Sequence, residues 1–158
     1  MDMEAAMKRI PPHSAEAEQA VLGAMLMNKE AITVASEILS GDDFYQTAYG
    51  ILFNSMVELF QAGKPVDLIT LQEYLKEKDV PPEISSMEFA RDLLMGTQTS
   101  ANIKSYAEIV REKSIMRRLI KVNEETANAC YLQNQPLEEI LEDAQKQVFA
   151  LAETGNSE

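Results

Sequence analysis

The chain has 158 residues, of which 46% are hydrophobic and 25% charged, with six Gly, six Pro, nine Met, one Cys and no Trp. This composition excludes collagen-like, low-complexity and disulfide-framework proteins, and the chain is long enough to bury a hydrophobic core. The formal net charge of −12 argues against strong nucleic-acid binding through the overall field, and favours self-association or a protein partner with a basic patch. With no apolar run of about 18 residues and no secretory signal, we expect a cytoplasmic protein that does not enter a membrane.

Helical periodicity extends over nearly the whole chain and predicts an all-α fold. Pro11 and Pro12 forbid a helix across the pair and make Ile10 extended, and we interpret residues 1–13 as a flexible arm. Ser14 is the expected N-cap of the first helix. Asp67 and Thr70 are alternative caps of the fourth helix, and Ser85 with Glu88 forms a capping box before the fifth. The first five helices are predicted over residues 15–27, 31–40, 47–62, 68–78 and 86–96.

Two longer helices follow, over residues 100–132 and 137–153, joined by a short polar loop. We therefore predict a globular helical head over 14–97, an antiparallel helical hairpin over 100–153 and the start of a linker at 154–158. A hairpin alone cannot bury both of its faces. We expect it to pack against a second copy of itself, and the alternative is that the head covers the remaining face.

Few residues indicate catalytic chemistry. His13, the only histidine, has no second His or Cys near it, so a metal or catalytic role is not expected. Cys130 falls on the helical apolar stripe and is predicted to be a buried structural thiol. The chain contains no P-loop, dinucleotide fingerprint or nucleophile elbow.

Residues 111–121 contain five basic residues and one acidic residue in an otherwise acidic chain. One interpretation is that these cations pair with nearby glutamates at helical spacing, which stabilises a helix only slightly. The other is a partner-docking stripe on the long helix, with Arg117, Arg118 and Lys121 as its cations.

Several segments, in order along the chain, resemble one protein family. They are RIPPHSAEAEQAVLG (9–23), DFY (43–45), PVDLITL (65–71), TSANI (99–103), YAEIV (106–110) and EKSIMRRLI (112–120). Together they resemble the amino-terminal domain of bacterial replicative DNA helicases of the DnaB type. The chain departs from the family pattern at Ser85-Ser86, where Gly-Gly is frequent, and at Gln98, where Pro is frequent. Both departures fall at loops or helix ends.

The resemblance implies a non-catalytic collar domain that ends where the linker to the motor begins. Hairpins would pair into dimers, and three dimers would form the collar of a hexamer that docks the carboxy-terminal helicase-binding domain of primase. A helicase loader is a further partner, and little direct nucleic-acid binding is expected. No cofactor is expected in this chain, since ATP and Mg would belong to the carboxy-terminal domain. Carried over by resemblance, the primase-contacting residues would be Phe89, Met116, Arg117, Ile120 and Thr126.

Two other functions compete with this interpretation. The first is a stand-alone helical adaptor or oligomerisation module unrelated to replication, which would use the same hairpin on a different partner. The second is a DNA-binding module, which the acidic charge disfavours.

Overall fold

The computed structural model describes residues 9–156, and within that range the secondary structure is helical, without strands. Residues 1–8 of the predicted arm and residues 157–158 of the predicted linker lie outside the described part. A 3₁₀ turn, Gly41–Asp43, precedes the third α-helix. The α-helices are α1 (Ala15–Met27), α2 (Lys29–Ile38), α3 (Thr47–Gln61), α4 (Leu68–Lys76), α5 (Pro82–Ser85), α6 (Met87–Met95), α7 (Ile103–Leu132) and α8 (Leu137–Asn156).

The structure divides into two compact units. One, the globular unit, holds residues 13–111, and the other, the hairpin unit, holds the described parts of 1–12 and 112–158. The predicted boundary lay at residues 98–99, whereas the contacts divide the chain inside α7. The reason is that the first two turns of α7 bury Ile103, Ala107 and Val110 in the core of the globular unit.

The core of the globular unit forms where α1 packs against α2, α3 and α6. Leu22 of α1 and Leu52, Phe53 and Met56 of α3 are almost completely buried. Gly23 lets α1 approach α6 closely, because a Cβ at this position would collide with Thr97 and lie 2.8 Å from the Leu93 carbonyl oxygen. The apolar periodicity of the sequence thus corresponds to real core positions in both helices.

A buried carboxylate fixes the turn that leads into α3. The Glu18 side chain, only 1% exposed, accepts hydrogen bonds from the backbone N–H groups of Tyr45 (2.9 Å) and Gln46 (3.3 Å). Neither aspartate of the 3₁₀ turn occupies the N-cap position of α3, which is Gln46. Asp43 instead accepts from the Ser40 N–H at 2.9 Å and closes the 3₁₀ turn.

The predicted caps of α1 and α4 are present. Ser14 accepts from the Ala17 N–H, which confirms the cap of α1. At α4, Asp67 is the cap and Thr70 completes a reciprocal capping box with it, which settles the alternative left open by the sequence.

The cap predicted at Ser85 is wrong by one residue. Ser86 caps α6 by accepting from the Phe89 N–H at 3.1 Å, whereas Ser85 ends the short helix α5, which was not predicted. Pro82 at the first position of α5 has the φ that a helix needs and lacks only an N–H that would be unpaired there.

A tyrosine, a glutamate and a lysine connect α3 to the end of α4. The Glu58 carboxylate accepts from the Tyr74 hydroxyl and from Lys78 Nζ at 2.9 Å. The Tyr74 hydrogen bond, followed by the Lys78 ammonium, lowers the pKa of Glu58. The same carboxylate raises the pKa of Tyr74 and of Lys78.

The hairpin unit contains the second part of α7, the loop 133–136 and α8. Gln133 has a φ of +53°, so the chain leaves α7 through a left-handed residue and turns back within four residues. Val122 and Ile140 are the buried apolar side chains described in this unit. Helix α8 continues to Asn156, three residues beyond its predicted end. Within residues 9–156, no helix is both long enough and apolar enough to cross a membrane.

Candidate docking surface

The hairpin unit leaves one flank of an apolar stripe uncovered. Along α8, Ile140 is buried, and Ala144 and Leu151 are partly buried. Leu137 and Leu141, which flank them on the helix surface, are 66% and 60% exposed. A helix buries its apolar stripe against a neighbouring element, so this exposed flank is available for a further contact.

Helix α7 exposes a second set of apolar side chains. Met116, Leu119 and Ile120 follow the i, i+3, i+4 spacing of a single helical face, and each is about two-fifths exposed. Val122 lies about 120° from Met116 and about 160° from Ile120 around the helix, and it is buried. The hairpin unit therefore has exposed apolar side chains on both of its helices.

Cys130 corrects one prediction. The thiol was expected to be buried because it falls on the apolar stripe of α7, but it is exposed. Counting at 100° per residue places Cys130 about 20° from exposed Leu119 and about 80° from buried Val122. The stripe that the sequence indicates is real, but this part of it faces solvent.

The three basic side chains predicted as the docking cations of α7 do not lie on one face of the helix. Arg117 and Lys121 are four residues apart and lie on one face, whereas Arg118 lies about 100° away from Arg117. Arg117 donates from its guanidinium to the Pro12 carbonyl oxygen at 2.8 Å, which ties the arm to the helix. The arm residues Arg9, Ile10 and Pro11 join Arg117, Ile120, Lys121 and Glu124 in lining a groove of about 530 Å³.

Of the seven predicted partner-binding residues, the structure brings Arg117, Ile120 and Lys121 together, with Met116 one turn from Ile120. Thr126 lies on another face, and its hydroxyl donates to the Val122 carbonyl oxygen of its own helix. Phe89 belongs to the globular unit, where its ring packs at 5.9 Å from that of Tyr49. The contact role of all seven residues stays a prediction.

Sequence reasoning missed the contribution of the arm to this surface. The Pro11-Pro12 pair indicated an extended segment, but its contact with a helix more than 100 residues later is a tertiary feature without a local signal. His13, at the end of the arm, stacks on the Tyr45 ring at 4.0 Å. No group of His, Cys, Asp and Glu that could hold a metal ion occurs within the described range.

Fold and surface together define an all-α domain in which a globular helical unit precedes a helical hairpin with exposed apolar faces. A family model described as the DnaB-like helicase N terminal domain matches residues 10–112, which is more than half of the chain. The chain belongs to this family.

Curated relatives agree with the family match. The chain is 40% identical over 145 residues to the replicative DNA helicase DnaB of Pasteurella multocida, covering 91% of this chain and 31% of the relative. It is 40% identical over 149 residues to the replicative DNA helicase DnaC of Bacillus subtilis, covering 94% and 33%. The chain therefore spans about a third of the length of these relatives.

Solved structures show the same fold. The crystal structure of the N-terminal domain of DnaB helicase from Mycobacterium tuberculosis matches with a TM-score of 0.83 and 31% identity, covering 89% of this chain and 99% of that one. The N-terminal domain of DnaB helicase from Helicobacter pylori, described with its interactions with primase, matches with a TM-score of 0.63 at 20% identity, covering 83% and 99%.

Proposed function

We propose that this chain acts as the amino-terminal collar domain of a replicative DNA helicase, which assembles the helicase subunits and recruits primase. Family membership and the replicative helicases among its relatives support this role. The observation that carries the proposal is the exposed apolar surface of the hairpin unit, above all Leu137 and Leu141. Such a surface is typical of a protein–protein contact.

The proposed assembly is a pairing of hairpins between subunits, with three pairs in a hexameric collar. Covering Leu137, Leu141 and Val148 with the same face of a second copy would remove apolar surface from water on both subunits at once. In the same proposal, ATP and Mg²⁺ act in another domain of the helicase, since the chain spans about a third of the length of its helicase relatives. The helicase would act in the cytoplasm, with a loader as a further partner.

Self-association is tested by multi-angle light scattering over a range of protein concentrations. We expect a mass of at least a dimer at tens of micromolar, and a shift toward the monomer for Leu141→Glu, which places a carboxylate on the exposed apolar flank. Ala150→Glu adds the same charge on the opposite side of α8, where the side chain is also exposed, and serves as the matched control. A monomeric parent chain at these concentrations would contradict the pairing.

Primase recruitment is tested with the purified carboxy-terminal helicase-binding domain of primase. We expect Ile120→Asp to weaken its binding at least tenfold, because the exposed Ile120 side chain lies beside Met116 and Lys121. Gln61→Glu, at the exposed end of α3 in the globular unit, also adds one negative charge and should bind normally. Equal binding by the parent and Ile120→Asp would remove this residue from the contact.

The matched family disfavours the stand-alone adaptor unrelated to replication, and no observation supports it. The DNA-binding alternative also has no support beyond the cluster of cations on α7. A duplex affinity below micromolar that falls steeply with salt would revive it.

A further inference from the structure

The arm and α7 are held together in a defined arrangement. The Arg117 guanidinium donates to the Pro12 carbonyl oxygen, and residues 9–12 belong to the same compact unit as the second part of α7. The proline pair restricts the backbone of this segment, so fixing it against α7 costs less conformational entropy than fixing a flexible segment would. The arm therefore forms a wall beside the helix.

The groove between the arm and α7 is lined by both charged and apolar side chains. Arg117, Ile120, Lys121 and Glu124 follow the spacing i, i+3, i+4, i+7, which puts them in one row on α7. Opposite this row, the arm contributes Arg9, Ile10 and Pro11. Ile10 is 63% and Ile120 42% exposed, so aliphatic surface remains available on both walls.

The charge of the groove is opposite to that of the chain. Three cations and one carboxylate line it, although the chain carries a net charge of −12. A ligand that complements this lining has carboxylates for Arg9, Arg117 and Lys121, and aliphatic or aromatic side chains for the two isoleucines.

We propose that the groove between the arm and α7 binds an acidic amphipathic segment of a partner protein, with the arm as one of the two walls. This inference rests on the proposed docking role of α7 and adds two elements to it: the chemistry of the partner segment and the participation of Arg9 and Ile10. The exposed isoleucines and the Glu124 carboxylate make the groove a poor match for a nucleic-acid backbone, which has no apolar side chains to bury.

A second copy of this chain is the competing occupant. The beginning of α8 combines the exposed Leu137 and Leu141 with the acidic residues Glu138, Glu139 and Glu142, which is the same chemistry. The two occupants are distinguished by the mass of the free chain. If Lys121→Glu lowers the self-associated mass, the groove is a contact between subunits, and the inference is overturned.

The inference is tested with a fluorescein-labelled synthetic helix of 14 residues, about four turns, built from Leu and Glu in an amphipathic pattern. We expect binding measured by fluorescence anisotropy, and weaker binding of at least about fivefold for Lys121→Glu and for Arg9→Glu. Lys29→Glu in the globular unit makes the same change in net charge and should bind like the parent. Equal binding by all three variants would overturn the groove as the site.

The role of the arm has a separate readout. Ile10→Asp leaves every cation in place but puts a carboxylate on the exposed aliphatic part of the arm, so we expect it to weaken peptide binding as much as Arg9→Glu does. A control peptide in which Lys replaces every Glu can bind the acidic chain elsewhere, but its binding should not be weakened by Arg9→Glu or Lys121→Glu. Weaker binding of the cationic peptide by Arg9→Glu or Lys121→Glu, or displacement of the acidic peptide by a DNA duplex, would contradict the proposed chemistry.

The primase domain, assayed in parallel, separates this inference from the proposed function. If primase binds the parent but acidic peptide binding does not depend on Arg9, Ile10 and Lys121, the groove inference fails and the collar function stands. If the peptide binds in the groove while primase does not bind at all, the groove is a site for another partner and the recruitment proposal fails. Circular dichroism of each variant confirms that helix content is retained, as expected for exposed positions.

Discussion

The buried Glu18 carboxylate is the clearest case in which one residue holds a turn together. Its two oxygens accept the backbone N–H groups of Tyr45 and Gln46, at the start of α3 and 27 and 28 residues away along the chain. From the sequence, Glu18 is only one of two acidic residues in the first turn of α1, where a carboxylate interacts favourably with the helix dipole. Nothing local distinguishes it from the exposed Glu16, because its role depends on a segment that arrives through tertiary packing.

Glu18→Ala should lower the free energy of unfolding by about 2 kcal/mol, because it leaves two backbone donors without their charged acceptor. Glu16→Ala, two residues earlier and exposed, should change the free energy of unfolding by less than about 0.5 kcal/mol. Urea unfolding followed by circular dichroism at one fixed protein concentration measures both. Equal effects of the two substitutions would mean that the Glu18 hydrogen bonds contribute nothing to stability.

The Glu58 cluster predicts a pH dependence of stability. The pKa of Glu58 is lower in the folded chain than its ordinary value of 4.5, so the ionised carboxylate stabilises the fold above pH 4.5. This contribution is lost as the pH falls through the pKa that Glu58 has in the folded chain. Glu58→Gln should therefore lower Tm at pH 7 by only about 1–3 °C, because solvent screens the half-exposed carboxylate. At pH 3 the difference should shrink. A Tm difference that stays constant from pH 7 to pH 3 would contradict this origin.

At the scale of the element, the positions of the helices were predictable because Gly, Pro and capping residues separate the apolar repeats. Helices α1 and α4 begin at the residues directly after Ser14 and Asp67, as expected when these two residues are the N-caps. The error at Ser85 has a physical reason. Two adjacent serines each precede a possible helix start, and the choice between them depends on whether Pro82 opens a separate turn, which periodicity cannot show.

This pair of serines offers a matched test of the cap. Ser86→Ala should lower the free energy of unfolding by about 1 kcal/mol, since it removes the acceptor of the Phe89 N–H. Ser85→Ala removes only a 3.3 Å hydrogen bond to the Pro82 carbonyl oxygen at an exposed site, and should cost less than about 0.5 kcal/mol. The denaturant midpoints of both variants measure this difference in stability. A larger loss of stability for Ser85→Ala than for Ser86→Ala would support Ser85 as the cap, as predicted from the sequence.

The apolar stripes of α7 and α8 were also predictable, but the side of each stripe that is covered was not. Periodicity places Leu137, Ile140 and Leu141 together, yet only Ile140 is buried. A stripe gives the direction of an apolar face and says nothing about how much of it the partner helix covers. The same reason explains the wrong prediction for Cys130. It also explains why the arm groove could not be found from the sequence, since one of its walls comes from the other end of the chain.

At the scale of the whole molecule, the two compact units differ in how much apolar surface they bury. The globular unit has a continuous core that includes Leu22, Phe53 and Met56, whereas Val122 and Ile140 are the buried apolar side chains described in the hairpin unit. Local stability follows the number of buried apolar contacts. The hairpin unit should therefore open more readily than the globular unit whenever no other surface covers it.

Amide hydrogen exchange tests this difference and its connection to self-association. At about 1 µM protein, amides in the middle of α8 should exchange faster than those of α3, because fewer buried side chains hold α8 in place. At about 100 µM, association that covers Leu137 and Leu141 stabilises the closed form by mass action, so exchange in α8 should slow severalfold while exchange in α3 stays unchanged. Leu141→Glu should abolish the concentration dependence, and Ala150→Glu should preserve it. If exchange in α8 is as slow as in α3 and independent of concentration, the hairpin is stable by itself, and its exposed leucines are not a subunit contact.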